Sequence, residues 1–244
     1  MIQGLYGAAS ALDAAAENQE VISYNIANAN VPGYRRRTAT FETFDRALAE
    51  ASGGGPGNGV MGTRLGSVYS SFEAGDYQRT DNPLDLAVRG DGFFVLEGPN
   101  GPLYTRNGTF ALNAKGELTS NDGLPVTGNG GRIIVPPGTS KVSIGADGTV
   151  RADKNAVGQV KVALFDDPGK LRPVGNTLFE AGDDVQPKTG TSTVLQGYRE
   201  GSNVQVVNEM AMMIAGMRHY EAARNALKSL SDAIQQTTQP QAGS

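Results

Sequence analysis

The chain contains no cysteine among its 244 residues. Disulfides, thiolate metal sites and cysteine nucleophiles are therefore excluded together. Nothing then ties the protein to a reducing or an oxidising compartment. Histidine occurs once, as His219. With no cysteine beside it and no serine on a nucleophile elbow, it reads as a structural or surface residue rather than a general base. Long apolar runs are missing as well. A membrane-spanning helix needs ~20 apolar residues, and the longest run here, of the kind Val162-Ala163-Leu164-Phe165, is strand-sized. The expectation is a chain that does not span a membrane. A basic excess is also lacking: the net charge is −4, which argues against a nucleic-acid partner. The N-terminal stretch "MIQGLYGAASALDAAAENQ" has no basic region and carries Asp13 and Glu17. No cleaved secretory signal is expected, and export would take another route.

What is present is a globular composition, 39% hydrophobic and 19% charged, with 33 glycines that favour a turn-rich β protein. Residues 2 to about 29 predict a helix. Ile2, Leu5, Ala9, Leu12, Ala16, Gln19, Ser23 and Ile26 follow spacings of three and four, a heptad-like seam. The seam is too weakly apolar to hold a lone helix, so a partner helix is required. The helix stops in "NIANANVPGYRRR", Asn25 to Arg37. Asn28, Asn30 and Gly33 accept turn or left-handed geometry, and Pro32 forbids further helix. Residues 52–66 are Gly-rich.

From about 67 to 195 the pattern changes to short strands. "GFFVLEG", "LYTRNGTFALN", "KGELTS", "GRIIVPPG", "SKVSIGADGTVRA", "GQVKVALFDD" and "NTLFEAG" are separated by Asn-Gly, Asp-Gly and Pro-Gly signals. Antiparallel meanders are expected. Residues 202 to about 236 predict a second helix, capped by Ser202 or Asn203. Val206, Met210, Met213, Met217, Tyr220, Leu227 and Ile234 form its stripe, interrupted by Arg224 and Ser231. The fold class is thus a mainly β central domain flanked by N- and C-terminal helices that pair as a coiled coil, α+β overall. The expected division is an N-terminal helix and turn at 1–34, a connecting segment at 35–66, a β-rich domain at 67–199, a C-terminal helix at 200–238 and a tail at 239–244.

Candidate chemistry is sparse. "GNGGR" at 128–132 lacks the lysine and spacing of a phosphate loop. "DKNAVG" places Asp153, Asn155 and Gly158 in a calcium-like step, but Val157 and Leu164 stand where oxygen ligands belong. Asp81, Asp85 and Asp91, or Asp166 and Asp167, offer the paired carboxylates of a cell-wall hydrolase on a β scaffold. Acidic turn residues are the commoner reason for such groups in hairpins. No catalytic residue, cofactor, metal or small-molecule substrate is expected. Arg35, Arg36 and Arg37 read as an electrostatic contact to acidic protein surfaces, other copies of the chain included.

The stretch "NIANANVPGYRRR" resembles the signature of bacterial flagellar rod and hook proteins, with Asn25, Ile26, Ala27, Asn28, Gly33, Tyr34 and Arg35 in place and Val31 where that family has threonine. "NPLDLAVRGDGFFVL" at 82–96 and "YTRNGTFALNAKGEL" at 104–118 are similar to two further blocks of the family. The segment 195–227 resembles its C-terminal block, with Glu200, Ser202, Asn203 and Val204 at the opening of the helix. The resemblance implies a structural subunit of the flagellar basal body, exported through the flagellar type III apparatus without a cleaved signal peptide. Its terminal helices would build the axial core of the periplasm-spanning rod. The implied partners are copies of itself, other rod and hook proteins, and the ring (bushing) proteins around the axis. The short middle region implies a rod protein rather than a hook protein. The proximal type is favoured by the short Gly-rich connection, and "RRRTATFETFDRAL" keeps the distal type open. The seam residues Ile2, Leu5, Leu12, Ile26, Val206, Met210, Met213, Met217, Tyr220 and Leu227, with the three arginines, are the expected subunit contacts. An extracellular coiled-coil adhesin is the other alternative; it predicts small closed oligomers in place of an axial assembly.

Overall fold

The computed structural model describes residues 2–43, 63–189 and 192–238. The tail at 239–244 and the Gly-rich stretch as far as residue 62 lie outside the described residues, as do the side chains of Ile2, Leu5 and Ile234. The chain divides into two compact units. One comprises Met1–Ala27, Arg37–Tyr69 and Gln205–Ser244, the other Asn28–Arg36 and Ser70–Val204.

The first unit is built on two helices, α1 (Ile2–Ala27) and α2 (Val206–Thr238), with a two-stranded sheet of β1 (Arg37–Thr43) and β2 (Thr63–Ser70). The helices run side by side. Their packing line differs in part from the expected seam. On α2 the buried and half-buried positions among the described side chains are Val206, Glu209, Met212, Met213, Gly216, Ala223, Leu227, Leu230 and Ser231, a face that keeps Val206, Met213, Leu227 and Ser231 of the expected stripe. Met210 and Met217 instead face outward, about half exposed, and so does Arg224. On α1 the buried positions are Ala14, Ile22 and Asn25; of the expected seam Ala16 and Ser23 are exposed, while Ala9, Leu12, Gln19 and Ile26 are half-buried, as are Ala11 and Asn18. The physical reason for the difference is size. Sequence periodicity follows the bulky residues, whereas close helix contact selects small ones. A Cβ at Gly216 would lie 2.9 Å from Gln19 Oε1.

The strands β1 and β2 fall where a connecting segment was expected. Thr40 and Ser67 bridge them: the Thr40 hydroxyl donates to the Ser67 carbonyl at 2.9 Å and accepts from the Ser67 N–H at 2.9 Å.

In the second unit the largest sheet has six strands, in the order Arg172–Pro173, Leu178–Glu180, Gly101–Thr105, Phe93–Gly98, Val162–Leu164 and Lys188–Thr189. Neighbours are antiparallel, but the order needs crossovers, so this sheet is not the simple meander expected. The strand Phe93–Gly98 is buried on both faces, which explains its unbroken apolar run. Phe94 and Leu96 join a core with Leu86, Phe110, Leu118, Val126 and Ile133. Phe93 and Val95 point the other way, into Tyr104, Phe165, Leu171 and Phe179. Phe93 meets Phe165 edge-on at 5.7 Å and Phe72 at 5.6 Å. The expected hairpin at 144–150 is present, closed by the Gly145 N–H donating to the Thr149 carbonyl at 2.9 Å.

Candidate functional site

The residues of the two terminal motifs gather at two joints, one in each unit. In the β unit the joint begins with successive turns. The Val31 N–H donates to the Asn28 carbonyl at 3.0 Å, and the Tyr34 N–H to the Val31 carbonyl at 3.2 Å. Val31 serves through its backbone, so the turn does not depend on the threonine its position resembles. Pro32 and Gly33 occupy the centre of the second turn, with Gly33 at φ +70°, the pattern of a type II turn. Glycine is required there twice over, because a Cβ would also stand 2.2 Å from the Asn107 nitrogen. Asn28 is buried and accepts from Asn176 Nδ2 at 3.0 Å.

Glu200 closes this joint from the other end of the chain. Its carbonyl accepts from the Gly33 N–H at 2.8 Å. Its Oε1 accepts from Arg35 Nη2 at 2.6 Å and from the Gly75 N–H at 3.0 Å. Its Oε2 accepts from Arg106 Nη1 at 3.4 Å. Glu200 is 0% exposed, Arg35 1% and Arg106 3%, so this is a buried cluster of two cations and one carboxylate. Arg106 lies over the Phe93 ring at 4.8 Å. Burial pushes the Arg106 guanidinium below its ordinary value; Glu200 opposes that shift and Arg35 adds to it. Among the described protein groups, Arg35 Nε and Nη1 and Arg106 Nε have no acceptor. Arg35 is therefore not the surface cation expected from its sequence. Its charge is bound within its own chain, because only Glu200 compensates for taking it out of water.

Asn203 completes the joint. Its Oδ1 accepts from the Arg36 N–H at 2.7 Å, and its Nδ2 donates to the carbonyls of Ser71 and Glu73, both at 3.0 Å. A carboxamide offers a donor and an acceptor on one group, which is what lets it stand in for a strand neighbour. Asn203 was expected as a helix cap. Its side chain is instead committed to Arg36, Ser71 and Glu73, and α2 starts at Val206. Ser202 accepts from the Val204 N–H at 3.2 Å.

The helical unit uses the same device. Asn25, near the end of α1 and 1% exposed, donates from Nδ2 to the Arg37 carbonyl at 2.8 Å and accepts at Oδ1 from the Arg37 N–H at 2.9 Å. Its Nδ2 also donates to Glu209 Oε2 at 3.2 Å, tying α1, β1 and α2 together. The Arg37 guanidinium lies 4.5 Å over the Tyr24 ring. Ala27 ends α1 and is exposed; Tyr34 is fully buried.

Beyond the joints, the helical unit presents apolar surface. Val207 is 79% exposed, Ile214 55% and Met217 54%, with Met210 and Tyr220 beside them. Ala16, Gln19, Met217, Tyr220, Glu221 and Arg224 line a groove of about 450 Å³. The carboxylates considered for hydrolysis have other work. Asp81 pairs with Arg79 at 2.6 Å, Asp166 with Lys188 at 2.8 Å, and Asp167 accepts from the Gly169 N–H at 3.0 Å. Asp85 is buried and accepts from Asn82 Nδ2 at 3.0 Å, while Asp91 is exposed. His219 is exposed on α2. Among the described residues no three acidic or histidine side chains converge as metal ligands, and no helix is long and apolar enough to cross a membrane.

Arg106, Asn176 and Glu209 are joint residues that sequence reasoning did not single out. Arg106 and Glu209 had a signal, their places inside the blocks at 104–118 and 195–227; Asn176 had none beyond opening the expected strand "NTLFEAG".

Three family models match the chain. "Flagella basal body rod protein" covers residues 5–35, "Flagellar hook protein FlgE/F/G D1 domain" covers 87–152, and "Flagellar basal body rod FlgEFG protein C-terminal" covers 195–239. The flagellar basal-body rod protein FlgG of Caulobacter vibrioides is 34% identical, over 98% of this chain and 99% of its own. FlgF of Mesorhizobium japonicum is 35% identical, over 91% and 90%, and FlgG of Bacillus subtilis 29%, over 97% and 98%. Length, order of blocks and identity agree: the chain belongs to the family of flagellar basal-body rod proteins.

Proposed function

We propose that this structural subunit of the basal-body rod polymerises head to tail through its terminal helices, forming part of the axial shaft between the export apparatus and the hook. The observation that carries the reading is the apolar stripe of α2, Val207, Met210, Ile214 and Met217, which the chain's own α1 leaves uncovered. A face of that kind on a soluble chain marks an interaction surface. Contacts that repeat without closing produce a helical assembly. The spacings of three and four along the inner face of α2 support coiled-coil pairing with α1. The outer stripe and the neighbouring groove then receive a helix from the next subunit. In this reading the axial core, expected at 1–34 and 200–238, is narrowed to the two helices, and residues 28–34 and 200–204 go with the β domain expected at 67–199. Arg36 and Arg37, half-buried, stay candidate contacts in this reading, and the buried Arg35 does not. Partners are other copies, other rod and hook proteins, the type III export apparatus and the surrounding ring proteins. Export proceeds without a cleaved signal, to a rod that spans the periplasm. Relatives named FlgG and FlgF match at nearly equal identity, so identity does not separate the proximal from the distal type.

The test replaces Val207, Ile214 and Met217 together with serine in a cell that depends on this chain for swimming. The expected result is a folded monomer with unchanged far-ultraviolet dichroism and basal bodies in which the rod is interrupted. Normal rods and normal swimming would overturn the reading.

A further inference from the structure

The order of residues in the β-unit joint has a consequence for when that joint can form. Segment 28–36 adds no strand to its unit, yet Tyr34 and Arg35 are buried as completely as any core residue. The Arg36 carbonyl accepts from the Ser71 N–H at 2.8 Å, but the bonds to the Arg35 guanidinium and the Arg36 N–H come from far down the chain. Arg35 and Glu200 are separated by 165 positions, and Arg36 and Asn203 by 167. Arg106, the other cation at the joint, offers Arg35 only repulsion until a carboxylate arrives. A guanidinium does not enter a buried site beside a second guanidinium without compensation. On a β unit that lacks residues 200–203, Arg35 would therefore be an uncompensated buried charge, and its burial would oppose the docking of segment 28–36.

The cores of the β unit do not share this dependence. Neither apolar cluster includes a residue of 28–36 or of 200–203. The joint and the core are thus separable in composition, and a chain can hold its β core formed while the joint is open.

We propose that Glu200 and Asn203 act as a completion latch. The early-made turn at 28–36 docks only when the last strand residues of the β unit reach it, and the path of the chain out of α1 is fixed only at that moment. The Glu200 carboxylate supplies the charge, accepting from both arginines and from the Gly75 N–H, while its backbone carbonyl accepts from the Gly33 N–H. Asn203 supplies the backbone term, joining Arg36 to Ser71 and Glu73. The latch is a property of the single chain and does not rest on how subunits assemble.

Hydrogen–deuterium exchange on the full-length protein tests it, following peptides that cover 28–36 and peptides that cover the strand Phe93–Gly98. In Glu200→Gln, which keeps the shape and removes the charge, exchange of 28–36 should rise about a hundredfold. In Asn203→Ala, which strands no buried charge, the rise should be about tenfold and confined to 33–36 and 71–75. In both, the strand Phe93–Gly98 should exchange as in the parent. Selective opening of 28–36 in at least one variant supports the latch. Its absence from both variants overturns it, whether because protection is unchanged or because the core strand opens in step.

Discussion

The two units of this molecule solve the burial problem in opposite ways. The β unit closes its own core. Its central strand is covered on both faces, and the other residues of the two apolar clusters are buried around it. Among the described residues of the helical unit, the only fully buried apolar side chains are Ala14 and Ile22. One end of its helix pair is held by a polar pair, Asn25 and Glu209, and the helices approach closely at Gly216, while Val207, Met210, Ile214 and Met217 are exposed. A unit with so little interior draws most of its stability from what it packs against. The comparison teaches where to expect folding defects and where to expect assembly defects.

The largest effect should follow from Phe93→Ala. Phe93 touches Phe72, Phe165 and Phe179 and lies under Arg106, so its removal opens a cavity and leaves a buried cation unsupported. A loss of about 4 kcal/mol is expected in chemical denaturation of the β unit. Met217→Ser on the exposed stripe should change the same measurement by less than about 0.5 kcal/mol while reducing assembly. If the two substitutions destabilise the monomer equally, the contrast between the units fails.

Gly33→Ala should come next. The substitution combines a left-handed backbone position with a Cβ pressed on the Asn107 backbone, which cannot retreat as a side-chain tip would. A cost of about 3 kcal/mol is expected. Proteolysis around 28–36 should rise before the β core melts, which locates the damage in the turn.

Asn25→Asp probes the helical unit. The new carboxylate keeps the acceptor for the Arg37 N–H but loses the donor to the Arg37 carbonyl, and it faces Glu209. The expected cost is about 2 kcal/mol, read as a lower helix melting temperature with the β unit unaffected. A matching drop in the β-unit transition would show that the units are not independent.

How much of this was legible depended on the kind of interaction. The helices, the hairpin at 144–150 and the strand at 93–98 follow from periodicity and turn chemistry, which are local. The stop at Pro32-Gly33 was readable for the same reason. The fate of Arg35 was not. Three consecutive arginines look alike in sequence, and what separates the first is a carboxylate 165 positions away. Asn203 looked like a helix cap because capping is the local use of an asparagine beside a helix, whereas its observed partners are Arg36, Ser71 and Glu73. The helix faces were legible in part: Val206, Met213 and Leu227 lie on the inner face of α2 as expected, whereas small residues such as Ala14 and Gly216, which hydrophobicity does not mark, complete the contact. Met210 and Met217 were noticed as part of the same stripe; what sequence could not say is that these two face away from α1.

The smallest effect is expected at the β-unit surface, where Arg132 bridges two acids. Its Nε and Nη2 donate to Glu97 at 2.7 and 2.9 Å, and its Nη1 to Glu117 at 3.2 Å. The hydrogen bond from Arg132 holds the Glu97 carboxyl below its ordinary value; Glu117 is held low first by Asn113 and then by Arg132. Because both folded values are depressed, the stabilisation is present above the ordinary carboxylate range and disappears as pH falls through the depressed values. Arg132→Gln should therefore lower the denaturation midpoint slightly near neutrality and leave it unchanged in strong acid. Added salt should shrink the difference further, since Arg132 and Glu97 are about half exposed to solvent. Part of the Glu117 depression should survive in the variant, because the Asn113 bond at 2.8 Å remains. A large, salt-insensitive loss would instead mean that the β unit depends on its surface charges as the helical unit depends on its neighbours.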